Sequence, residues 1–149
     1  MDERGRVSVG RGAGRGAGLR GGLRVGLGRR ASAVWGASLA GMAVVLGAFG
    51  VHTLARLVSA DRLQVWETAV RFEMYHALGL LLIAALPGPA RLASLLLLVG
   101  TLIFSGTLYL LVVTGVPILG AVTPLGGLLL IAGWALLAVS LARRLPASD

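Results

Sequence analysis

From residue 31 onward, long apolar runs alternate with short polar interruptions. Four runs, about 31–51, 66–86, 92–113 and 123–142, are long enough to cross a bilayer as helices. Such a crossing takes about 20 apolar residues for a hydrocarbon core of about 30 Å. The pattern predicts an all-α, integral membrane four-helix bundle.

In the first run Ala33, Gly36, Ala40, Ala43, Gly47 and Gly50 follow one another at steps of three and four. That spacing lays small residues along one helix face, where a second backbone approaches closely. Ala37, Gly41, Ala48 and His52 form another such line. The first helix is therefore expected to pack between two others, at the centre.

Residues 53–64 form a charged connection, in which Ser59 suits the N-cap of a helix beginning at Ala60. The second run ends at Leu86, before Pro87-Gly88-Pro89. Its purely apolar part, from Met74 to Leu86, reaches only about 20 Å at about 1.5 Å per residue. To span, this helix must begin near Glu67 and draw Arg71, Glu73 and His76 to membrane depth; otherwise it is short and the bilayer thins around it. In the third run Thr101, Ser105 and Tyr109 recur every fourth residue, a polar line expected to face other helices. The fourth is expected to start at Thr123-Pro124, an N-cap followed by a first-turn proline, with 117–122 as a lead-in.

Charge separates a different segment. Every basic residue is arginine, and eight of the 14 precede residue 31. Residues 1–30 are Arg/Gly-rich without apolar periodicity, which predicts a disordered tail. Such a tail could bind RNA or anionic lipid, but no aromatics interleave the arginines as base stacking needs. A positive topological anchor or an over-extended translation start is preferred, and no nucleic-acid partner is expected. With the N-terminus cytoplasmic, the inside holds these arginines with Arg91, Arg143 and Arg144, against Arg56, Arg62 and Arg71 outside. This bias predicts a multi-pass membrane protein with both termini cytoplasmic.

That topology sends His52, Glu73, His76, Tyr109 and Thr123 to the outer half of the membrane, where they form a candidate polar cluster. Ionisable groups there cost a few kcal/mol each, about 3 at mid-depth, and face the bundle to find partners. A metal site drawing on Glu73, His76 and His52 is one reading, but the carboxylates of a di-iron bundle are missing. A proton or ion path through Glu73 and His76 is another, and no polar line crosses the whole membrane. The preferred reading is a clamp: Glu67 pairs with Arg71, and Glu73 bonds a histidine or Tyr109 and fixes helix register. Trp66, Tyr75 and Trp134 read as interface or packing aromatics. No cofactor or metal is assigned.

The chain has no cysteine, which removes disulfides, thiolate nucleophiles and Cys-based zinc sites. No Gly-rich phosphate loop follows a strand and no serine sits in an elbow motif. The reading is non-enzymatic.

Four blocks occur in a recognisable order: GAFGVH (47–52), WETAVRFEMYHAL (66–78), FSGTLYLL (104–111) and TPLGGLLLIAGW (123–134). They resemble the domain of unknown function 423 family, YgdD-like small integral membrane proteins with transmembrane-protein-256-like relatives in eukaryotes. The resemblance covers about residues 33–145. It implies a four-helix inner-membrane protein without an assigned activity or cofactor. It also implies that His52, Trp66, Tyr75 and His76 fall on recurrent positions, while Glu73 stands where many relatives have glutamine. A carboxylate there is then no family requirement, which weakens the metal and relay readings. Relatives begin close to the first span, which favours the over-extended start. The expected partners are the lipid bilayer and either a second copy or another membrane complex; the alternative function is a small transporter or ion-coupled protein.

Overall fold

Each apolar run stops where the sequence offers a turn or a cap. The computed structural model describes residues 26–88 and 90–144. Its helices are α1 (Arg29–His52), α2 (Ala60–Ala85), α3 (Arg91–Thr114) and α4 (Ile118–Ala142), with a short 3-10 turn, Leu54–Arg56, after α1. All four are long and apolar enough to cross a membrane. The Ser59 side chain accepts from the Arg62 N–H at 3.5 Å to open α2, with Asp61 favourably placed in the first turn. Gly115 closes α3 at φ +70°, a left-handed cap suited to glycine.

Two boundaries differ from expectation. α4 starts at Ile118 rather than Thr123, so Pro124 lies inside the helix. The helix is entered at Pro117, which holds the N-cap without a side-chain cap bond, and only the Gly120 carbonyl loses its usual donor to Pro124. α1 already includes Arg29 and Arg30. The disordered tail expected over residues 1–30 otherwise falls, up to residue 25, outside the described residues.

Packing follows chain order: α1 lies on α2, α2 on α3 and α3 on α4, while α1 and α3 barely meet. The expectation that α1 is central is thereby overturned; α2 and α3 are the inner helices. Among the described residues only the first small-residue line of α1 has a partner. A Cβ on Gly36 would stand 2.9 Å from the Ala77 carbonyl oxygen, and one on Gly50 2.8 Å from the Trp66 ring. The second line, Ala37, Gly41, Ala48 and His52, is exposed. Small residues permit close approach but do not supply the neighbour.

α1 and α3 flank α2 with matching faces. Ser32, Gly36, Leu39, Ala43 and Gly50 are buried in α1, and Ser94, Leu98, Thr101, Ser105 and Val112 repeat that spacing in α3. Leu80 and Leu97 anchor the larger core, and Leu54, Trp66 and Val112 close a smaller one towards the other end. Where α1 and α3 begin, Leu27 N–H donates to the Arg91 carbonyl at 3.1 Å, Arg29 Nε to that of Ala84 at 3.0 Å and Arg144 Nη1 to that of Pro87 at 2.8 Å. These bonds tie four helix ends together and gather Arg29, Arg30, Arg91, Arg143 and Arg144 at one end of the bundle.

Candidate functional site

Glu73 stands near the middle of α2, buried, at a position its helix turns towards α3. Tyr109, on α3, donates its hydroxyl to Glu73 Oε2 at 2.6 Å. One turn along the seam, Ser105 donates to the Ala69 carbonyl at 3.0 Å. The return of Thr101, Ser105 and Tyr109 to one helix face at every fourth residue aims the line at α2. Thr101 is buried there too, but its hydroxyl goes back to the Leu97 carbonyl at 2.7 Å.

Trp66 extends the seam to α1. Its Nε1 donates to the Leu46 carbonyl at 2.9 Å, and its ring lies 4.6 Å from that of Tyr109 and 5.7 Å from that of Phe49. Polar bonds between helices in a bilayer average about 0.6 kcal/mol and reach about 1.7. Aromatic pairs add about 0.5–1.5 kcal/mol beyond their buried area. The seam therefore favours one register of three helices by an amount comparable to a point mutation's effect.

The five residues of the expected cluster do not all converge. Glu73 and Tyr109 are joined. His76 is buried on α2, its Nδ1 2.6 Å from the Phe72 carbonyl and its ring 6.2 Å from that of Trp134 on α4. A carbonyl only accepts, so Nδ1 is the donor. Thr123 belongs to the α3–α4 seam: its Oγ1 meets that of Thr107 at 2.8 Å and the Leu119 carbonyl at 3.1 Å. His52 is exposed at the last residue of α1. Among the described residues no group of three or more His, Asp or Glu side chains is placed to hold a metal ion. The expected Glu67–Arg71 ion pair does not form either; Arg71 donates to the Glu67 backbone carbonyl at 3.3 Å and to the Thr68 hydroxyl at 3.4 Å.

Two participants escape a linear reading. Thr107 lies off the every-fourth-residue line and faces α4 instead of α2. Gly106 shows its role only once α1 and α3 are seen to stand apart. Between them, above α2, runs a groove of about 300 Å3 lined by Trp35, Met42, Leu102, Gly106, Tyr109 and Glu73, among others. The arrangement joins helices through one Glu73 oxygen and places the same residue on the groove wall.

A family profile described as "Protein of unknown function (DUF423)" matches residues 46–127. A UPF0382 membrane protein of Staphylococcus haemolyticus is 46% identical over 111 residues, which cover 72% of this chain and 91% of that protein. The UPF0382 membrane protein YwdK of Bacillus subtilis is 45% identical over 113 residues, 72% of this chain and 92% of its own. No solved structure matches the chain.

Proposed function

The chain belongs to the DUF423 family, the one its four sequence blocks resemble, and on that premise we propose that this multi-pass membrane protein is non-enzymatic. It serves as a structural or accessory component of a bacterial inner (plasma) membrane, packing with itself or with another membrane complex. One observation carries this reading: each buried polar side chain inside the spans bonds either a neighbouring helix or a carbonyl of its own helix. Among the described residues no enclosed side-chain nitrogen or oxygen lacks a partner.

The test is a complementation series with His76→Ala in cells lacking the chain. A structural component loses abundance and heat stability with this substitution, and any phenotype tracks the remaining amount of protein. A phenotype lost at unchanged abundance and stability would overturn the reading in favour of a small transporter or ion-coupled protein. That second reading is supported by Glu73 lining a groove.

Both termini are assigned to the cytoplasm. The support is the collection of Arg29, Arg30, Arg91, Arg143 and Arg144 at one bundle end, while Arg56, in the 3-10 turn, and Arg62, in the first turn of α2, lie at the other. Because the chain has no cysteine, single replacements report on topology without background. An impermeant maleimide applied to intact spheroplasts is expected to label Ala55→Cys, and Pro87→Cys only after permeabilisation. The reverse pattern inverts the assignment.

A further inference from the structure

We infer that the groove between α1 and α3 is a binding site for a small apolar molecule bearing one protonated amine, which donates to the Glu73 carboxylate. The inference goes beyond the structural reading and does not rest on it, because the helix seam uses only Oε2 of Glu73.

Glu73 is 4% exposed, and its other carboxylate oxygen has no hydrogen-bond partner among the described residues. That oxygen is also not among the enclosed, unsatisfied atoms, and Glu73 lines the groove. The unused acceptor therefore opens into the groove. A buried carboxylate without a counter-charge is costly in a low-dielectric setting, and a ligand ammonium supplies both the charge and the donor.

Apart from the Ser38 hydroxyl at its exposed edge, the rest of the lining is apolar or already bonded. Trp35, Met42 and Leu102 provide apolar walls and are themselves 44%, 52% and 48% exposed, so the groove is open along the flank of the bundle. This flank belongs to the membrane-spanning segments, which makes entry lateral, from the bilayer. Among the described residues no arginine lines the groove, so a phosphate group would meet a carboxylate and no cation from them. The nearby hydroxyls of Thr101 and Ser105 already donate to the Leu97 and Ala69 carbonyls. A volume of about 300 Å3 lies at the lower end of small-molecule sites, about 300–1,000 Å3, and suits one alkyl chain or a compact ring system. A Cβ added at Gly106 meets nothing within 4 Å, so the glycine keeps this space open.

The experiment uses the full chain in nanodiscs of zwitterionic lipid, with 11-bromoundecylamine as a quencher of tryptophan fluorescence and 11-bromoundecanol as the uncharged control. Trp35, on the groove wall, is the reporter. Quenching by the amine is expected to saturate and to be competed by unbrominated undecylamine. The alcohol should bind about tenfold more weakly, as should the amine in Glu73→Gln, the loss of one charged hydrogen bond. Gly106→Leu fills open space, so it is expected to melt like the wild type and to lose amine binding. Equal binding of amine and alcohol means alkyl-chain occupancy only and overturns the inference. So does undiminished amine affinity in folded Glu73→Gln. Should Glu73→Gln fail to fold, Gly106→Leu decides alone: retained amine binding in that variant rules the groove out.

Discussion

Tyr109 holds two kinds of contact that a single atom separates. Tyr109→Phe keeps the ring against Trp66 and removes only the donor to Glu73. It is expected to lower unfolding free energy in mixed micelles by about 0.6–1.7 kcal/mol. Tyr75→Phe serves as control: Tyr75 is exposed, and its variant should unfold like the wild type. A cost shared equally by both would mean the Tyr109 hydroxyl contributes nothing specific. At this scale, part of the site was legible before the fold was known. Helical period alone places Thr101, Ser105 and Tyr109 on one face, and a glutamate inside an apolar run demands a partner. Which partner it finds is a tertiary matter, decided by how α2 and α3 rotate against each other. His52 illustrates the limit: it shares the chemistry of His76, but the last residue of α1 carries it out of the bundle.

Among elements, the difference between a small residue and a used small residue becomes measurable. A Cβ on Gly126 would fall 2.5 Å from the Phe104 backbone nitrogen and 2.9 Å from the Gly100 carbonyl oxygen, both on α3. Backbone atoms cannot swing aside, so Gly126→Leu must push α4 off α3. The expected cost is about 1–3 kcal/mol or more, seen as a lower melting temperature in detergent. Gly41→Leu, where nothing lies within 4 Å, is expected to melt like the wild type. Equal losses at the two positions would show that helix propensity, not interhelical contact, sets the effect. Helix number and approximate limits were readable because apolar length and period are local properties. α1 is not central, because Ala37, Gly41 and Ala48 have the composition of an interface but no helix lies against them. The start of α4 is not legible at Thr123-Pro124, a good local entry that the helix runs through on its way back to Ile118.

For the whole molecule, the sequence pattern specified the membrane class and four crossings, since four apolar runs of about bilayer-spanning length are the signature of membrane helices. Helix neighbours were not legible: they depend on which faces match, and matched faces of α1 and α3 both select α2. The resulting order, in which each helix lies chiefly on its predecessor, carries a consequence for how the protein is made. A ribosome delivers α1 first, and every later helix then meets its main partner already in the bilayer. Nothing has to wait for a distant segment to close a gap. Assembly can thus keep pace with synthesis, as local contacts favour rapid folding. A chain stopped after Gly115 should insert α1 to α3 and retain the Trp66–Tyr109 contact, visible as protection of Trp66 from aqueous quenchers. Loss of that protection would show that α4, the last helix out, is needed to lock what came before it.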